Sequence, residues 1–247
     1  MSLKIGILAT GITPDDLLDQ YGSYADMFVS LFSQAGYDFT YETYDVRDDV
    51  FPASADACDA WIITGSKANV YEKTPWMAQL KELILAIYDT GRPMVGICFG
   101  HQIIAEAFGA DVNKYPGGWG VGLHSYALNR AVPGLDPNAR RFQLSAMHQD
   151  QVLSKPDNAE VVAASAFCPF AALQYDDRIL TLQAHPEFNV DFETNLVRSR
   201  RADPIPPRAA DEALGALGQA SARTDSVAVA HWMASFLTRQ QAVAKSA

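Results

Sequence analysis

Residues 94–102 read Met-Val-Gly-Ile-Cys-Phe-Gly-His-Gln, an apolar strand end that runs into a cysteine framed by glycines. Met94, Val95 and Ile97 suit a buried strand. Gly96-Ile97-Cys98-Phe99-Gly100 suits the sharp strand-to-helix turn that lifts a nucleophile out of a sheet. Such a turn forces its central residue into a strained conformation, so the positions two away must be small. A helix over residues 100–108 would aim its positive N-terminal end at the sulfur, a field that favours thiolate, the form that attacks carbon. The competing reading is a buried cysteine in an ordinary strand–helix connection, because this short pattern also recurs by accident.

Outward from this turn, the first two-thirds of the chain alternates strand and helix. Residues 3–9, 39–44 and 60–64 read as strands, and residues 24–35 have helical apolar spacing through Met27, Leu31 and Phe32. Pro75 opens a helix over 75–90 and Gly91 stands just past its end, a placement that marks both boundaries. The βαβα order predicts an open α/β sheet, mostly parallel, with helices on both faces. Ligands bind such sheets at the carboxyl ends of the strands, where Cys98 and the Gly65-Ser66-Lys67 loop fall. Short strands at 121–129, 142–147, 160–165, 171–175 and 179–183 read as a small antiparallel addition that returns the chain to the main sheet. Helices follow at 191–201, 208–217 and 226–237, and residues after 239 are expected to fray.

The strand at 179–183 ends in His185-Pro186-Glu187. Side chains two apart on an extended chain share a face, so Glu187 can sit beside the His185 imidazole, fix its tautomer and stabilise its charged form. Taken alone, a strand-end histidine with a solvated glutamate is ordinary. Beside a cysteine elbow it suggests a nucleophile, a base and an orienting acid.

Composition bounds the function. The 247 residues are 49% hydrophobic and 19% charged, a globular balance with material for a large core. A net charge of −10 argues against nucleic acid as a partner, since phosphate binding needs a basic face. No apolar run is long enough for a membrane helix, and the N-terminus reads as a core strand rather than a signal peptide. Cys58, Cys98 and Cys168 are odd in number and widely spaced, which suggests free thiols in the cytoplasm. His124 and His231 lack partners at metal-ligand spacing, so no metal is expected. The glycines of residues 117–122 do not make a dinucleotide fingerprint and no P-loop occurs, so no nucleotide cofactor is expected. His101, Cys58 and Cys168 read as structural; Trp119 and Tyr115 suit either a pocket floor or the core.

With Cys98, His185 and Glu187 in that chain order, the sequence resembles the class I glutamine amidotransferase family. The matching pieces are GICFGHQ (96–102), QAHPE (183–187), WIITGS (61–66) and MHQDQV (147–152). It is most similar to stand-alone members related to the glutaminase domain of GMP synthase, γ-glutamyl peptidases among them, through GGWGVGL (117–123), the Trp76 helix start and the helical tail after HPEF. The resemblance implies a flavodoxin-like fold, a catalytic domain over residues 1–190 and a helical extension over 191–247 packed on it. It also implies hydrolysis of a γ-carboxamide through a γ-glutamyl thioester, with no cofactor. Carried over by position, Cys98 is the nucleophile, His185 the base and then acid, and Glu187 its orienting partner. Gln102 helps to shape the substrate pocket, and His148 and Asp150 are pocket candidates. The oxyanion hole falls to the N–H group of Phe99 together with that of Gly65 or a neighbour in its loop. Many members carry Gly-Gly-Pro where this chain has Gly65-Ser66-Lys67, and Gly65 keeps the permissive position.

Three readings of function remain open at this level. One is a self-contained γ-glutamyl peptidase, and a second is a glutaminase subunit that feeds ammonia to a separate synthase. The third is a catalytically silent binding protein on the same fold, which an intact triad disfavours. An esterase is disfavoured because hydrolases of that class place the acid before the histidine.

Overall fold

The computed structural model describes residues 2–239. In chain order its elements are β1 (Lys4–Ala9), α1 (Asp15–Tyr21), α2 (Tyr24–Gln34), β2 (Thr40–Asp45), β3 (Ala60–Ile63) and α3 (Pro75–Thr90). Then come β4 (Met94–Ile97), α4 (Phe99–Ala107), β5 (Val112–Lys114), β6 (Gly120–Leu128), β7 (Arg141–His148) and β8 (Asp150–Val152). The last are β9 (Ala159–Ala164), β10 (Ala172–Tyr175), β11 (Ile179–Leu182), α5 (Val190–Arg200), α6 (Pro207–Leu217) and α7 (Ser226–Leu237).

Nine strands make one sheet in the order β2-β1-β3-β4-β11-β10-β9-β6-β7. The run from β2 to β11 is parallel. From β11 outward the neighbours pair antiparallel. This is a flavodoxin-like α/β sheet, mixed and mostly parallel, with helices on both faces. The strands inside the edge strand β2, namely β1, β3, β4 and β11, are apolar on both sides, and successive residues divide between two layers. Ile5, Ile7, Ile62, Val95, Ile97, Leu180 and Leu182 face α2 and α7, packing with Phe28, Phe32, Trp232 and Phe236. Leu8, Trp61, Ile63, Met94 and Ile179 face α3 and α4, packing with Leu80, Ile84, Phe99 and Ile103. Each fully buried side chain of this size contributes roughly 1.5–3 kcal/mol. A third cluster holds α1, α5 and α6 against β6 and β7 through Leu17, Val121, Met147, Phe192, Leu196 and Ala213.

Local chemistry sets the helix ends. The Ser23 hydroxyl accepts from the Asp26 amide and the Asp26 carboxylate accepts from the Ser23 amide, a reciprocal cap that starts α2. α3 starts on Pro75 and stops at Gly91, which takes the left-handed conformation at φ 75°.

The expected strands and helices are present with ends displaced by no more than one residue. α1, β5 and β8 are additions to them. α1 follows Pro14 with no side-chain cap and buries only Leu17, so its apolar period is too weak to read. β5 and β8 are three-residue strands that pair only with each other, shorter than any usable alternation. The fraying expected after residue 239 lies outside the described residues. Among the described residues no helix is long and apolar enough to cross a membrane.

Candidate active site

β3, β4 and β11 lie side by side in register, Ile63 opposite Gly96 and Leu182 opposite Ile97. Their carboxyl ends therefore deliver the Gly65 loop, Cys98 and the His185 segment to one edge of the sheet. Cys98 has φ 53° and ψ −103°, a conformation that costs a non-glycine residue on the order of 1–3 kcal/mol. Its amide donates to the Leu182 carbonyl at 2.8 Å, which ties the turn to β11. The flanking glycines are required by close approach. A Cβ on Gly96 would stand 2.5 Å from Ile104 Cδ1, and one on Gly100 would stand 2.5 Å from the Ile63 carbonyl oxygen. Cys98 thus sits at the head of α4, where the Phe99 amide, first in the helix, has no intrahelical acceptor.

The His185 amide donates to the Ser145 carbonyl at 2.9 Å, joining the end of β11 to β7. In the side chain, Nδ1 and Glu187 Oε1 are 2.7 Å apart in a nearly sealed pair. Burial alone would push the imidazole's pKa down. Glu187 and Cys98 together outweigh burial and hold it well above its ordinary value. Among the described residues Nε2 has no well-formed hydrogen bond, and Cys98 is the group whose charge and thiol act on the ring. Gly65 fills the space between the two. A Cβ there would meet His185 Cε1 at 2.7 Å and Cys98 Cβ at 3.5 Å. The Thr10 hydroxyl, 3.2 Å from the Gly65 carbonyl and 2.8 Å from that of Thr64, holds this loop to β1.

A cavity of about 390 Å³ opens on Cys98, with Gln102, Trp119, His148 and Asp150 among its lining. Gln102 and His148 converge on one main-chain oxygen: Gln102 Nε2 donates to the Asp150 carbonyl at 2.9 Å, and His148 Nδ1 reaches it at 3.1 Å. Gln102 Nε2 also donates to Gln183 Oε1 at 3.1 Å, so its amide braces the cavity wall. Burial drives the His148 pKa down to about 3, which leaves a neutral ring with Nε2 unpartnered. The Asp150 carboxyl is raised by burial and accepts from the Tyr71 hydroxyl at 3.3 Å. All the sequence-predicted site residues therefore gather at one place.

The family model described as glutamine amidotransferase class-I matches residues 16–198. The chain belongs to the class I glutamine amidotransferase family. A glutamine amidotransferase-like protein of Schizosaccharomyces pombe is 31% identical over 228 residues, spanning 83% of this chain and 87% of that protein. Gamma-glutamyl peptidase 4 of Arabidopsis thaliana is 30% identical over 195 residues, 75% of this chain and 76% of that protein. A glutamine amidotransferase of Thermotoga maritima has the same fold, with a TM-score of 0.73 at 16% identity, covering 96% of this chain and 99% of that one.

Other residues of this class I amidotransferase-family chain take the positions their burial dictates. His101 is fully buried, its Nδ1 2.8 Å from the Thr181 hydroxyl, and burial lowers its pKa to about 3. Cys58 and Cys168 are buried, and burial raises both thiols, Cys168 to about 12. Among the described residues no group of three or more His, Cys, Asp or Glu is placed to hold a metal ion.

Two contributors escaped the sequence reading. Phe188 lies flat on the His185 ring, centroids 4.0 Å apart and planes 3° apart, so the imidazole is clamped on its face as well as through Nδ1. Glu193, on α5, is fully buried, and its Oε1 accepts from the Gly122 amide at 3.0 Å. Burial raises its carboxyl to about 8; His185, the Gly122 bond and Arg200 oppose the shift, and Glu187 adds to it. The available signal was an acid on the helix face shared with Leu196 and Val197, which reads as ordinary amphipathic noise.

Glu193 gives a pH prediction. A carboxyl whose folded pKa is raised binds more protons folded than unfolded, so its stabilising contribution is full below about 4.5 and declines up to about 8. Glu193→Gln keeps the Oε1 acceptor and removes this titration. The variant should match wild type in urea unfolding at pH 4.5 and exceed it at pH 8.5 by on the order of 2–4 kcal/mol. Equal stability at both pH values would mean that the carboxyl does not titrate this way.

Proposed function

We propose that the protein is a cysteine-dependent hydrolase of γ-glutamyl amide bonds, with γ-glutamyl peptides as its substrates. The observation that carries this reading is the strained Cys98 at the head of α4 beside an imidazole bonded at 2.7 Å to Glu187. That is the geometry of an activated nucleophile, its base and an orienting acid.

In the first step His185 Nε2 takes the thiol proton and Cys98 Sγ attacks the γ-carbonyl carbon. The carbonyl oxygen becomes an oxyanion beside the Phe99 amide and the Gly65 loop, where a single donor is worth about 10²–10³-fold in rate. The C–N bond then breaks, His185 gives its proton to the departing amine, and a γ-glutamyl thioester remains on Cys98. Water attacks that thioester as His185 removes its proton. The C–S bond breaks, and glutamate leaves with the thiol restored. Gln102, His148 and Asp150 shape the acyl side of the cavity. No cofactor enters any step.

The similarity to a γ-glutamyl peptidase over three-quarters of each chain supports peptides over free glutamine. Incubation of the purified protein with glutamine and a panel of γ-glutamyl dipeptides tests the choice. Glutamate release from dipeptides faster than from glutamine is the expected result. Turnover of glutamine alone would overturn it in favour of a glutaminase subunit that supplies a separate synthase.

A further inference from the structure

The chemistry divides the cavity. The acyl carbon must reach Cys98 Sγ while the departing nitrogen faces His185 Nε2, so the leaving group lies on the His185 side. On that side the cavity continues into a small recess lined by Tyr24, His185 and Phe188, and the two share Ser66, Lys67, Met147 and Arg200. Gln102, His148 and Asp150 line the cavity and not the recess, which leaves them to the acyl side.

Charge on the leaving-group side runs against that of the whole protein. The chain carries −10 overall, yet the two charged residues common to cavity and recess are both cations, Lys67 and Arg200. Neither forms an ion pair among the described residues. The neighbouring Arg201 and Arg208 do so, with Asp211 at 2.7 Å and Glu212 at 2.8 Å. Arg200 makes no such pair: the Tyr24 hydroxyl of the recess shares a hydrogen bond with it, and the buried Glu193 feels its charge. Arg200 is also held in place, on the last turn of α5, where its carbonyl accepts from the Ile205 amide at 3.1 Å. Asp203 lines the cavity but not the recess, and the Asp150 carboxyl accepts from the Tyr71 hydroxyl.

Ammonia leaving from glutamine has no use for two cations beside its exit. An amino acid or short peptide does, because its free carboxylate lies only two bonds or a few residues beyond the departing nitrogen. We infer that Arg200, assisted by Lys67, binds the carboxylate of the leaving group, so that the protein selects γ-glutamyl peptides with a free C-terminus. This rests on the γ-glutamyl hydrolase reading and adds the specificity of its leaving-group side.

The test compares kcat/KM for three substrates that differ only beyond the scissile nitrogen: γ-glutamyl-alanine, its C-terminal amide, and γ-glutamyl anilide. Wild type should prefer the acid to the amide by about 10–100-fold, the range of a hydrogen-bonded charge. Arg200→Gln should shrink that ratio at least fivefold, Arg200→Lys should keep part of it, and Lys67→Gln should reduce it less. Arg208→Gln, exposed and away from the cavity, should keep the wild-type ratio. A wild-type ratio near one with the anilide still cleaved overturns the carboxylate site alone. So does a ratio that survives both Arg200→Gln and Lys67→Gln. Failure to cleave any of the three overturns the hydrolase reading and the carboxylate site with it.

Discussion

Cys98→Ala is expected to abolish glutamate release from every γ-glutamyl substrate, a loss of at least about 10⁴-fold in kcat. The covalent route needs a sulfur at this one place. Cys58 and Cys168 do not replace it, because both are buried with thiols that burial pushes up. The fold should scarcely notice. Alanine at φ 53° meets the same backbone cost as cysteine, and the deleted atom is small, so unfolding in urea should shift by about 1 kcal/mol or less. Substrate affinity should survive, measurable by calorimetry on the variant. Residual turnover within tenfold of wild type would place the nucleophile elsewhere.

Glu187→Gln is expected to lower kcat by about 10³–10⁴-fold with little change in KM. The variant keeps a side-chain oxygen in reach of Nδ1 but loses the charge that supports the imidazolium. His185 then keeps only Cys98 to set against burial, so its pKa falls from its raised value. A less basic ring takes the thiol proton poorly and holds it less well for the amine. Two readouts check this: the pH–rate profile, and the His185 ring resonances, which should titrate at lower pH in the variant. Phe188 still clamps the ring in the variant, so loss of charge rather than of position is what the comparison reads. A fall of less than tenfold would show that the acid is dispensable.

What was legible in the sequence was whatever chemistry demands locally. Gly96, Cys98 and Gly100 could be read because a strained turn tolerates few residue types at those spacings. His185 and Glu187 could be read because alternation on an extended chain puts them on one face. The inner parallel strands showed as continuous apolar runs, and Pro75 and Gly91 marked α3 directly. The strand order was not legible: nothing near residues 179–182 says that β11 is inserted between β4 and β10. Glu193 was missed because its partner, the Gly122 amide, lies on another element, and a charged residue on a helix carries no mark of what will pack over it. Phe188 was missed because nothing in the local sequence says that its ring folds back onto His185.

The central place of β11 also sets an order of events. It is the last strand of the sheet in sequence, and it carries both the carbonyl that fixes the Cys98 amide and the segment that ends in His185. A nascent chain that has emerged only as far as residue 178 has its thiol but neither its proton acceptor nor the bond that locks its turn. Contacts between distant parts of a chain form late, because loop closure must precede them. On the proposed mechanism, completion of the sheet is therefore what brings Cys98 its base and locks its turn.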